Sequence, residues 1–145
     1  MLVLIVLIVA FVALRALGFA GVVAFASWQG SARDALAIML LFTASAHFIS
    51  MKEDLVRMMP PWVPWPRAMV YITGICEIAG AVGLLIPEFR SAAGICLIVF
   101  FIAVLPANIH AAKARVGLRG KPATALWLRI PMQVLFIGLA WWVSQ

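Results

Sequence analysis

Residues 91–112 read SAAGICLIVFFIAVLPANIHAA, without a single lysine, arginine, aspartate or glutamate. An α-helix rises about 1.5 Å per residue, so about 20 apolar residues cover the roughly 30 Å of hydrocarbon in a bilayer. The stretch is long enough to cross a membrane as one helix. A barrel strand would alternate polar and apolar positions, and this one does not. Helix is the remaining structure that satisfies its own backbone in hydrocarbon.

The same pattern recurs on both sides. Residues 1–27 carry one charge, Arg15; residues 35–51 carry none; residues 68–87 carry only Glu77; residues 122–145 carry only Arg129. The expected architecture is an all-α integral membrane protein forming one domain over residues 1–145, with helices at about 3–27, 31–51, 67–87, 90–112 and 122–143. Composition agrees. Hydrophobic residues are 66% of 145, charged residues 11%, and the mean hydropathy is +1.14. A soluble domain of this size needs more charge to stay dissolved.

Local signals refine the spans. Ser31-Ala32-Arg33-Asp34 resembles a capping box, with Asp in place of Glu, and marks an expected start of the second helix. Pro87, followed by Glu88 and Arg90, predicts a tight turn. Pro106 and Pro131 are expected to kink the fourth and fifth helices. Gly74, Ala79, Gly80, Ala81 and Gly83 would let a neighbouring helix approach the third. Ala24-Phe25-Ala26 resembles a signal-peptide cleavage site. The preceding stretch lacks a basic start, is too long and carries Arg15, so it is read as a retained helix. Cys76 and Cys96 fall inside spans with no CxxC pair and are expected as buried thiols, not a disulfide-exchanging pair.

Orientation follows from basic residues between the spans. Lys52, Arg57, Arg67, Lys113, Arg115, Arg119 and Lys121 fall on one side, against Arg33 and Arg90 on the other. This bias predicts a cell-membrane protein with a cytoplasmic N-terminus and an outward C-terminus. The formal net charge of +6 then reports topology and attraction to anionic lipid, not nucleic-acid binding. Between the second and third spans lies Met58-Met59-Pro60-Pro61-Trp62-Val63-Pro64-Trp65-Pro66, where four prolines exclude regular helix. Its tryptophans are read as an interfacial anchor in preference to a lid over the bundle mouth.

Polar residues inside the spans carry the functional signal, because ionisable groups there are costly and face the interior. Helical rise puts His47 and Asn108 about 8 Å from the basic end, Arg129 about 10 Å, and Glu77 and Gln133 about 15 Å. Thr43 with His47, Thr73 with Glu77, and Arg129 with Gln133 are each four apart and share a face. The coincidence of depth and face predicts a polar pocket open to the cytoplasm. Each member also has a structural reading: Glu77 as a paired carboxylate, His47 and Asn108 as interhelical hydrogen-bond formers, Arg129 as a snorkelling side chain. Arg15 is read as a packing counter-ion able to reach the same layer, and His110 as interfacial. No paired ligand spacing supports a metal site.

Five segments, in order, carry a resemblance. They are Phe42 to Phe48 (FTASAHF), Met59 to Pro64 (MPPWVP), Tyr71 to Gly80 (YITGICEIAG), Leu105 to Ile109 (LPANI) and Leu128 to Gln133 (LRIPMQ). Over roughly residues 35–142 the chain resembles the DoxX family of small membrane proteins. The resemblance implies a four-helix membrane core, to which this chain adds an N-terminal hydrophobic helix. Some DoxX relatives are named as subunits of quinone-linked oxidoreductases, others belong to complexes linked to thiol stress, and a distant animal branch assists receptor assembly.

Two functions follow as expectations. The first is an accessory subunit of a quinone-linked membrane oxidoreductase. His47, Asn108, Arg129 and Gln133 would hold the quinone and Glu77 would exchange its proton, with no tightly bound cofactor of the chain's own. No haem-ligand pair or flavin motif is present in the sequence, so a membrane redox partner would supply the electrons. The second is a non-enzymatic assembly factor or scaffold whose polar layer recognises a partner's transmembrane helix or a second copy of the chain. Transport is less well supported, since no inverted repeat is apparent.

Overall fold

The computed structural model describes residues 2–116 and 124–145. Arg119, Lys121 and Pro122, used above for orientation and for the start of the last span, lie outside the described residues. The described chain is helical, with no strand among the described residues: α1 (Leu2–Phe19), α2 (Trp28–Ala46), α3 (Lys52–Met58), α4 (Pro66–Leu85), α5 (Arg90–Lys113) and α6 (Leu126–Val143). Two 3-10 turns, Val23–Phe25 and Pro87–Phe89, join α1 to α2 and α4 to α5.

Four helices close a ring: α2 packs on α4, α4 on α5, α5 on α6, and α6 back on α2. Neighbours run antiparallel. Near the start of α2, Gln29 and Arg33 donate to the carbonyls of Trp142 and Val143 at the end of α6. At the opposite end, His47 beyond α2 meets Val70 of α4, and Asn108 of α5 meets Arg129 of α6. Outside this ring, α1 packs against α2.

The core sits on α2, which buries Ala35, Leu36, Ala37, Met39 and Leu40 against Leu7, Ala81, Leu84, Leu97, Phe101, Phe136, Ala140 and Val143. On α4 the buried positions are Val70, Gly74, Glu77, Gly80, Ala81 and Leu84, the three-to-four spacing of one helical face. The glycines on that face admit neighbours. A Cβ at Gly74 would lie 2.7 Å from the Cβ of His47, and one at Gly80 would collide with Leu97.

Several element boundaries differ from expectation. The first helix stops at Phe19, not near residue 27, and the chain turns through Gly21, whose φ of +99° suits glycine. Ser27, not Ser31, caps α2 by accepting from the Gly30 N–H at 2.9 Å. Ser31 lies one turn inside and donates to the Phe25 carbonyl at 3.1 Å, so the Ser31–Asp34 pair is not a capping box. α2 ends at Ala46, and the short α3 follows where only a loop was expected. α5 and α6 run on through Pro106 and Pro131. The Pro87 turn and the helix-free run from Met59 to Trp65 follow their prolines as anticipated.

Four segments are long and apolar enough to cross a membrane: Leu2–Phe19, Pro66–Leu85, Pro87–Lys113 and Leu126–Val143. α2 is not among them, because Gln29, Ser31, Arg33 and Asp34 occupy its first two turns. Its polar start is half-buried or buried at the α6 end of the bundle, while Ile38, Leu41 and Phe42 further along are exposed. Cys76 and Cys96 are exposed, which corrects their expected burial. They lie off the packed faces of α4 and α5, beside the exposed Ile75 and Ile95.

Candidate functional site

The sharpest polar cluster lies on the seam between α2 and α4. His47 follows the last turn of α2, and the missing side chain at Gly74 lets its ring lie against α4. Its Nδ1 is 2.6 Å from the Val70 carbonyl oxygen and 3.2 Å from Thr73 Oγ1. A carbonyl only accepts, so the close contact requires a hydrogen on Nδ1. Thr73 Oγ1 itself lies 2.9 Å from the carbonyls of both Met69 and Val70.

The other ring nitrogen faces Glu77. His47 Nε2 and Glu77 Oε2 are 3.4 Å apart, with the two side chains 12% and 11% exposed. The contact is in ion-pair range but lacks hydrogen-bond geometry, leaving the buried Oε2 without a hydrogen-bond partner. With Nδ1 committed to Val70, a neutral ring presents a bare lone pair to the carboxyl group. Two acceptors facing each other around a buried negative charge are strongly unfavourable. One proton between them removes the conflict, as a carboxylic acid beside imidazole or as a carboxylate beside imidazolium.

Asn108, Arg129 and Gln133 are organised differently. Arg129 Nη1 donates to Asn108 Oδ1 at 2.8 Å, and its Nε donates to the Thr124 carbonyl at 3.0 Å. Gln133 Nε2 donates to the Phe101 carbonyl on α5, next to Ile102, whose carbonyl Pro106 leaves without its helical donor. The five expected site residues thus fall into two groups: His47 with Glu77 between α2 and α4, and Asn108, Arg129 and Gln133 between α5 and α6. Thr43 bonds its own helix, at the carbonyls of Met39 and Leu40. Among the described residues no three His, Cys, Asp or Glu side chains converge as a metal site would require.

Arg15 belongs to neither group. Its Nη1 donates to the carbonyls of Phe25 and Ala26 at 2.6 and 2.8 Å, and its guanidinium carbon lies 4.6 and 4.5 Å from the ring centres of Phe19 and Trp28. These partners surround the start of α2, the end away from His47. The expectation that Arg15 reaches the polar layer is corrected; carbonyl oxygens and aromatic faces take the place of a counter-ion. His110 Nδ1 lies 3.1 Å from the Met58 carbonyl and ties the end of α5 to the end of α3.

Sequence reading missed the cleft at the basic end. Lys52, Glu53, Val56, Arg67, Val70 and Tyr71 line it, with Arg67 Nη2 3.0 Å from Glu53 Oε2 and Lys52 Nζ 3.1 Å from Tyr71 Oη. Its floor is Val70, whose carbonyl accepts from His47. The signal for it was α3, a single short helix hidden in what reads as a charged loop.

One family model, described as Domain of unknown function (DUF8561), matches residues 36–144. The chain belongs to this family. The matched region begins within α2 and ends just beyond α6, so it takes in the closing helices of the ring and leaves out α1. No curated protein and no solved structure matches the chain.

Proposed function

We propose that this DUF8561 member is a multi-pass membrane protein with a DoxX-like four-helix core, acting as an accessory subunit of a quinone-linked oxidoreductase. Membrane insertion is supported by the outer surface. Ile5, Ile8, Val12, Ile75, Val82, Ile95, Val99, Ile102 and Val134 are all exposed, more apolar surface than a soluble monomer tolerates. Exposed aromatics border it at both ends: Phe19, Trp28, Phe89, Trp141 and Trp142 at one, Trp62, Trp65 and Trp127 at the other. Aromatic girdles of this kind mark the two headgroup regions. The ring geometry carries α2 across with its neighbours. Lys52, Arg57, Arg67, Lys113 and Arg115 favour a cytoplasmic basic end, with the N-terminus on the same side.

The observation that carries the functional reading is the buried 3.4 Å contact between His47 Nε2 and Glu77 Oε2, an arrangement suited to sharing one proton. Reduction of a quinone to a quinol takes two electrons and two protons; a redox partner supplies the electrons, and a buried proton-holding pair is suited to passing protons to the quinone oxygens. Arg129 and Asn108 supply donors for a carbonyl oxygen once their mutual bond opens. The scaffold reading has less support, since His47, Glu77 and Gln133 turn inward, away from any partner helix. The test is quinone-dependent turnover in native membranes with Glu77→Gln, protein level checked by immunoblot. Turnover should fall at least about a hundredfold, the low end for loss of a proton-transfer group, at unchanged abundance. Retained turnover would rule out the proton role.

A further inference from the structure

The cleft at the basic end adjoins a second, apolar groove. The cleft, about 60 Å³, is lined by Lys52, Glu53, Arg67 and Tyr71, and the open groove, about 500 Å³, by Val56, Trp65, Pro66 and Ala68. Val56 and Arg67 line both, so the charged cleft and the apolar groove lie side by side as the two ends of one depression. Its charged end carries two cations and one carboxylate. Lys52 is positioned by Tyr71, with Nζ 3.1 Å from the hydroxyl and 5.7 Å from the ring centre. Arg67 is 72% exposed on its side chain and its pairing with Glu53 is in open solvent, a type of contact worth little and readily exchanged. Trp65, 77% exposed at a left-handed φ of 47°, stands at the edge of the groove and starts α4.

We infer that this depression binds one anionic phospholipid, its phosphate between Lys52 and Arg67 and an acyl chain along Val56, Trp65 and Ala68. The inference rests on the membrane reading above. Charge complementarity selects an anionic over a zwitterionic headgroup, and the apolar groove selects a lipid over a free anion. Glu53 acts as the competitor for Arg67 and sets how tightly the headgroup is held. A lipid so bound sits over Val70, whose carbonyl orients His47.

Native mass spectrometry of the full chain in mild detergent tests this, with phosphatidylglycerol, phosphatidylcholine or inorganic phosphate added. One phosphatidylglycerol should be retained in preference to phosphatidylcholine. Its retention should fall about fivefold in Lys52→Ala and in Arg67→Ala, the effect of one cation near an anionic headgroup. Glu53→Gln should raise it by a similar factor, an increase that misfolding cannot produce. Arg57→Ala, which removes an exposed cation outside the depression, should leave it unchanged. Equal retention of the two lipids, or no response to Glu53→Gln, would overturn the site. Displacement by inorganic phosphate would make it an anion site without a lipid. Alkaline extraction of membranes separates the two levels of failure: a chain that stays in the pellet but shows no lipid preference loses this site alone, whereas a chain released into the supernatant loses the membrane reading as well.

Discussion

Replacing Gly74 with alanine puts one methyl group on α4 against His47 and Phe48, just past the end of α2. The added Cβ would lie 2.7 Å from His47 Cβ, 3.0 Å from His47 Cγ and 3.0 Å from Phe48 Cε2. Carbon atoms rest about 3.5–4.0 Å apart, so the seam must open by roughly 1 Å at this point. The atoms in the way are the stem of His47 and a ring, not the free end of a flexible chain, so little can swing aside. Overpacking of this kind costs about 1–3 kcal/mol. The same displacement perturbs the 3.4 Å contact of His47 Nε2 with Glu77 Oε2. Gly138 on α6 is the matched control, with nothing within 4 Å of its Cβ position. Alanine there should be neutral or gain up to about 1 kcal/mol from helix propensity. Equilibrium unfolding in mixed micelles reads both variants. If Gly74→Ala falls within about 0.5 kcal/mol of Gly138→Ala, the range of an ordinary surface change, then α2 and α4 do not meet at His47 and the proton-holding pair has no structural basis.

Arg15→Ala removes two charge-assisted carbonyl contacts and the packing on Phe19 and Trp28, which should loosen the α1–α2 turn and admit protease between Phe19 and Ser27; wild-type resistance to cleavage there in the variant would contradict the clamp. A double-mutant cycle on Asn108→Ala and Arg129→Ala should give a coupling of about 0.5–3 kcal/mol in the same unfolding assay, whereas additivity would mean the 2.8 Å contact is not formed. Single cysteines in a cysteine-free background should be labelled from the cytoplasm at Arg57→Cys and from outside at Glu88→Cys; the reverse pattern would invert the orientation. In native membranes, Cys76 and Cys96 should react with a lipophilic maleimide and resist a charged one, and rapid charged-reagent labelling would place their faces in water.

The long charge-free runs made most of the helices legible, because spacing of charge is a property of each segment alone. Pairings across the bundle were less so. His47 and Glu77 were recognisable as polar members of two spans, but their meeting depends on Gly74 and on the register between α2 and α4, which no local pattern encodes. Arg15 was misplaced for a related reason. It sits on a helix expected to run to residue 27, whereas the turn through Gly21 ends that helix early and brings the Phe25 and Ala26 carbonyls back to the guanidinium. Ser27 lost to Ser31 as the expected cap because the capping-box spacing looks only at residue type. At Cys76 and Cys96 an apolar span was equated with burial, yet in a small bundle most of each helix faces outward. α3 was hidden by its charge, although acidic residues in its first turn and Arg57 in its last match the helix dipole.

The two polar groups differ in what they leave undone. Arg129 donates from Nη1 to Asn108 and from Nε to Thr124, and Gln133 donates from Nε2 to Phe101. Such contacts hold α5 and α6 in register even when nothing else binds. The His47–Glu77 pair has a buried oxygen without a hydrogen bond, facing a nitrogen whose partner on the ring is already committed. A buried acceptor left unpaired costs about 1–3 kcal/mol, a cost that sharing one proton with His47 would remove. At 3.4 Å the contact stays open enough for the proton to change hosts with modest movement. On the proposed reading Glu77→Gln should alter activity before stability, whereas Asn108→Ala and Arg129→Ala should alter both, because the same side chains join α5 to α6 and are the proposed donors to the quinone.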